Sequence, residues 1–96
     1  MLDLVEGDHI FFRNGHIGKV TYVSTKGRPS IYVDRAILNG WNDVLYYTSE
    51  IILDIDGHQY KDKPSPWDID SRAIYKSRFF LDSVWTSQPI RKWESH

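Results

Sequence analysis

Cysteine is absent from this 96-residue chain. Its absence excludes a disulfide framework, a cysteine zinc site and a thiol nucleophile together. The core must hold by packing alone, and the composition is the one expected of a protein from a reducing cytoplasm. An excess of charge of one sign is missing too, since 12 Lys and Arg stand against 13 Asp and Glu for a net −1. General polyanion binding draws its affinity from counterions released by a concentrated basic surface, so only a local basic patch stays open. No apolar run is long enough to cross a bilayer, and the opening Met1 to Glu6 carries acids where a signal peptide is basic and apolar. Internal repeats, low-complexity runs and a phosphate-cradling glycine loop are not found either. At this length one domain with one modest core is expected, burying about two-thirds of the unfolded chain's surface.

The residues that most often carry chemistry are present without the spacing that chemistry needs. His9, His16, His58 and His96 never stand four apart, so no helical pair of imidazoles for a metal arises. His9 and His16 are expected to face one another across a hairpin as a surface pair. Asp54-Ile55-Asp56-Gly57 starts like a calcium loop, but its sixth and twelfth places hold Gln59 and Ser65 rather than Gly and Glu, so it is a turn. Asp68 and Asp70 offer two carboxylates on one side of an extended chain, with a capping role for Asp70 favoured. Ser24, Ser30, Ser49, Ser71 and Ser87 lack a nucleophile-elbow context. No catalytic residue, cofactor or metal is expected.

The informative stretch is Gly7 to Val23. Asn14-Gly15 lies between two apolar-rich runs, a pairing that favours a type I′ hairpin because both residues tolerate positive φ. Residues 8 to 13 and 16 to 24 should therefore pair. Val20 and Val23 are three apart, so turning both inward requires a β-bulge or bend near Thr21, which Gly18 would ease. Further strands are expected at Ser30 to Ile37, Val44 to Tyr47 and Glu50 to Ile55, separated by Lys26 to Pro29, by Asn39 to Asp43 and by Thr48-Ser49.

Gly7-Asp8-x-Ile10 followed by Gly15-x-x-Gly18-x-Val20-x-x-Val23 resembles the KOW motif, and more broadly the SH3-like barrels of ribosomal proteins, elongation factors and small accessory proteins. The resemblance spans residues 5 to 55. It implies a small five-stranded barrel that engages nucleic acid or a nucleoprotein machine. The loop between the first two strands is shorter than in many KOW units, and few basic residues lie within the motif.

The expected fold is mainly β: an SH3-like barrel over residues 1–57 and an aromatic-rich extension over 58–96 packed on it as one folding unit. His58 to Asp68, with Pro64 and Pro66, reads as irregular chain. Asp70-Ser71 is expected to cap a short helix from Arg72 to about Val84, although Arg78 to Trp85 also suits a strand. Trp67, Trp85, Trp93, Phe79 and Phe80 give this third too much apolar area for a tail, so it should cover a face or edge of the barrel.

Two functional readings follow. The favoured one is a stand-alone protein-binding inhibitor or adaptor acting on a host enzyme or nucleoprotein complex, similar in size and composition to the short single-domain proteins of phages and mobile elements. Its contacts would be Trp41, Arg28, Arg35 and Tyr32, with Trp41 either displayed from its turn or folded back to plug the barrel end. The other is a nucleic-acid accessory factor using Arg13, Lys19, Lys26, Arg28 and Arg35 beside the stacking rings of Phe11 and Tyr22. An exposed sheet edge would also permit a homodimer.

Overall fold

The computed structural model describes residues 2–76 and 84–90. Its strands are β1 (His9–Phe12), β2 (Ile17–Ser24), β3 (Ser30–Leu38), β4 (Val44–Asp54), β5 (Ile69–Lys76) and β6 (Val84–Gln88). All six form one antiparallel sheet in the order β4-β3-β2-β1-β5-β6, curled into a half-barrel. None of the described residues forms a helix, so none offers a helix long and apolar enough to cross a membrane.

The β1–β2 hairpin forms where Asn14-Gly15 puts it, but with a different turn. Gly15 N–H donates to the Phe12 carbonyl at 2.9 Å, and Phe12 N–H donates to the His16 carbonyl at 2.8 Å. Only Gly15 has positive φ, at 88°. The loop is therefore three residues long, a turn over Arg13 and Asn14 completed by a left-handed glycine, and not the two-residue type I′ turn. Asn14 contributes its side chain, whose Oδ1 accepts the His16 N–H at 2.9 Å. In this register His9 lies opposite Lys19, and the expected His9–His16 pair does not form because His16 stands beside the turn while His9 is at the far end of β1.

In β2 the register slips between Val20 and Tyr22, the bulge that the spacing of Val20 and Val23 demands. Both valines consequently turn toward the same core. Gly18 serves a different purpose from easing that bend. A Cβ at Gly18 would lie 2.6 Å from Val33 Cγ1 and 2.7 Å from Phe12 Cε2, so the missing side chain is space that Phe12 occupies.

The strand count departs from five. Val44 to Tyr47 and Glu50 to Ile55 are not separate strands: Thr48-Ser49 is a bulge inside β4, with Ser49 at φ 28° and the β3–β4 register slipping beside it. The expected helix is also overturned where the chain is described. Arg72 to Lys76 belong to β5, paired with the edge of β1 left open by β2, and Val84 begins β6. Ser71 and Ala73 point inward at the period of a strand. The remaining expected helical residues, with Phe79, Phe80 and Trp93, lie outside the described residues.

The sheet carries apolar groups on both faces. On the first, Ile10, Phe12, Val20, Ile31, Val33 and Leu53 form the main core with Leu2 and Leu4 of the N-terminal segment. The irregular chain between β4 and β5 closes this face, with Trp67 set edge-on to Phe12 at 5.1 Å between ring centres. Asp68 ties that segment down. Its buried carboxylate accepts the Gln59 N–H at 2.8 Å and the Ser65 N–H at 3.0 Å. On the second face a smaller cluster of Ile17, Ala36 and Ala73 is flanked by Phe11, Leu38, Val44 and Trp85.

Candidate docking edge and cleft

β4 is the longest strand, with 11 residues, and it is an edge: among the described residues only β3 pairs with it. Along it and the hairpin leading into it the chain displays Trp41 (67% exposed), Leu45 (61%), Tyr46 (57%) and Ile52 (54%). Alternation explains part of this pattern. Leu53 lies opposite Ile31 and is buried in the main core, so its neighbour Ile52, opposite Tyr32, must face outward. The Asn39 carboxamide organises the hairpin by accepting N–H groups from Trp41 at 2.8 Å and from Asp43 at 3.0 Å. That loop holds the Trp41 ring out rather than over the end of the barrel.

The residues expected to bind are placed in several neighbourhoods. Tyr32 stands between Tyr22 and Ile52 in a row across three strands, its ring 5.7 Å from that of Tyr22. Lys26 and Arg28 are exposed in the β2–β3 loop, whereas Arg13 is exposed in the β1–β2 loop at the opposite end of β2. Lys19 sits on the second face with Nζ 5.3 Å from the centre of the Tyr47 ring. Arg35 lies on the first face, its guanidinium 5.2 Å from the Trp67 ring centre. Phe11 is half-buried in the second cluster. The five cations thus divide between two faces and two ends, and Tyr22, Tyr32 and Ile52 form the one continuous row among these residues and β4.

The structure also assembles a group that the sequence pattern left scattered. On the second face an open cleft of about 520 Å³ is lined by Asp8, His9, Tyr47, Arg72, Tyr75 and Trp85, among others. His9 Nε2 and the Tyr47 hydroxyl are hydrogen-bonded at 2.9 Å, and the His9 ring lies 5.0 Å from Trp85. Tyr75 meets Trp85 edge-on at 5.1 Å. The Tyr75 hydroxyl donates to Asp43 Oδ1 at 2.6 Å and Trp85 Nε1–H to the Asn42 carbonyl at 2.8 Å, so both reach the β3–β4 hairpin. Burial, reinforced by Lys19 and opposed by Asp8, lowers the His9 pKa from its ordinary 6.5, leaving the ring neutral at neutral pH. Burial likewise pushes the Tyr47 phenol up from 10.0. No spacing rule in the sequence brings positions 9, 47, 75 and 85 together, because their proximity depends on β5 inserting beside β1 and on the curl of the sheet.

At the far end of the fold, burial alone would raise the Asp68 carboxyl above its ordinary 3.8, but the two backbone N–H bonds and the neighbouring His58 outweigh it and hold the group lower. His58 Nδ1 lies 3.5 Å from Asp68 Oδ2. This carboxylate anchors a loop. Among the described residues no three His, Asp or Glu side chains gather as metal ligands would. No protein-family model, curated protein or solved structure matches the chain.

Proposed function

We propose that this chain is a non-enzymatic protein-binding module, an inhibitor or adaptor that docks on a host enzyme or nucleoprotein complex through the β4 edge and the Trp41 hairpin. The observation that carries the reading is an 11-residue edge strand with large apolar side chains exposed along it and beside it. Proteins ordinarily blunt such an edge, because its unpaired N–H and C=O groups invite a strand from another chain. Apolar groups rimmed by polar ones are likewise the usual mark of an interaction surface, and Trp and Tyr are favoured anchors within one.

Kinship to the KOW and other SH3-like barrels belongs to this reading. It is supported by the β1–β2 hairpin that opens a strongly curled antiparallel sheet. The cytoplasm is its proposed compartment, on the absence of cysteine. Dispersal of Arg13, Lys19, Lys26, Arg28 and Arg35 weighs against a single phosphate-tracking groove.

Capture from a lysate of the source organism or its host tests the proposal. The intact chain is expected to enrich one stoichiometric protein. Trp41→Ala and Ile52→Glu should each lose it while keeping the circular dichroism of the parent. Capture that both variants leave unchanged, or capture abolished by nuclease, would overturn the reading. Binding to labelled single strands that collapses between about 50 and 200 mM salt would favour the nucleic-acid alternative instead.

A further inference from the structure

Strands in a sheet lie about 4.8 Å apart, so five spacings would separate β4 from β6 by roughly 24 Å if the sheet were flat. The curl instead brings β6 within hydrogen-bonding reach of the turn that leads into β4, on the second face, where Trp85 Nε1–H meets the Asn42 carbonyl at 2.8 Å. Among the described residues no backbone ladder joins these edges. Side chains close the gap, and His9 stands in the middle of them, touching Tyr47 of β4 on one side and Trp85 of β6 on the other.

We propose that His9 is a proton-operated latch: neutral, it holds the β3–β4 hairpin and β6 together over the cleft, and protonated, it releases them. The groups facing it favour this assignment. From β2 comes Lys19, directly opposite in the ladder and itself opposite Asp34 of β3. From β4 comes the Tyr47 phenol, from the hairpin Asp43, and from β5 Arg72 and Tyr75. β6 contributes Trp85, which carries no charge. Asp8 precedes His9 and is the nearest carboxylate in its own segment, but its Oδ2 already accepts the Val5 N–H at 3.0 Å and lies 3.8 Å from Arg72.

A proton on His9 therefore places a charge on a half-buried ring beside Lys19, with Asp8 as partial compensation. Where the neutral ring carries its proton on Nδ1, protonation also turns Nε2 from an acceptor into an obligatory donor, so the Tyr47 hydroxyl must reverse. Opening the seam lets water reach the imidazolium and relieves both. The Trp85 and Tyr75 bonds to the hairpin then lose the geometry that the closed seam imposes.

Heteronuclear NMR of the full chain reads this directly through the Trp85 indole N–H. As pH falls below 6.5, that signal should move toward the position of free tryptophan and lose its protection from hydrogen exchange, with the same midpoint as the His9 ring and reversibly. Amides of the main core, Val33 and Leu53, should keep their protection throughout. His9→Gln, which can still accept from Tyr47, should keep the indole protected across the range. Tyr47→Phe should leave it less protected at every pH. An indole signal indifferent to the His9 titration, the same transition in His9→Gln, or simultaneous loss of Val33 protection would each overturn the latch.

Discussion

At Gly18 and Asp68 an ordinary residue does work that its neighbours define. Gly18 has an unexceptional backbone, yet a methyl group there would enter the space held by Phe12 and Val33. Gly18→Ala should destabilise the protein by about 1–3 kcal/mol, the usual cost of overpacking a tight core, as read by urea unfolding. In the sequence this glycine looked like a hinge for the bend of β2. Its true reason is a contact with residues from β1 and β3, which no local pattern shows.

Asp68 and His9 give stability a dependence on pH that can be signed. Both titrate below their ordinary values when folded, 3.8 for Asp68 and 6.5 for His9. The unfolded chain therefore takes up each proton first, and stability is lost as pH falls. Denaturation midpoints should be flat between about pH 7 and 9, decline below 6.5 through His9, and decline again below 3.8 through Asp68. His9→Gln should erase the first decline. Asp68→Asn should weaken the second and cost about 1–3 kcal/mol at neutral pH by impairing the acceptor for two N–H groups. Midpoints that show no decline until pH 4 would contradict the placement of His9.

Among the elements, β4 presents one side chain to the core and the next to the outside. Leu53 is buried and Ile52 exposed, one residue apart. Leu53→Ala should cost about 2–5 kcal/mol, whereas Ile52→Lys should stay within about 0.5 kcal/mol, both measured by thermal or chemical unfolding. Similar costs at the two positions would mean that the register of β4 is wrong. The β1–β2 hairpin and the bulge at Thr21 were legible because Asn14-Gly15 and the valine spacing are local signals. The merging of two expected strands into β4 was not: Thr48-Ser49 looks like a breaker, and only pairing with β3 on both sides makes it a bulge.

β5 illustrates the same limit more sharply. Its sequence, Ile69 to Lys76, suits a capped helix as well as a strand, and the decision rests on the unpaired edge of β1, some sixty positions earlier in the chain. Tertiary pairing overrode a plausible local pattern. The cleft residues His9, Tyr47, Tyr75 and Trp85 were illegible for the same reason, since β5 and β6 must be in place before they meet.

For the molecule as a whole, a six-stranded sheet covered on one face by the N-terminal segment and the Asp68-anchored chain leaves β4 and the Trp41 hairpin as its most apolar displayed region. The cations are spread, the carboxylate held most firmly is an anchor, and the cleft is built from rings that pack on one another. These placements support the proposed docking through the β4 edge. Amide hydrogen exchange of the chain alone and saturated with its captured protein partner tests this most directly. New protection should be concentrated in residues 39–54. Protection appearing instead around Lys26 and Arg28 or in the cleft, with residues 39–54 unchanged, would contradict the account.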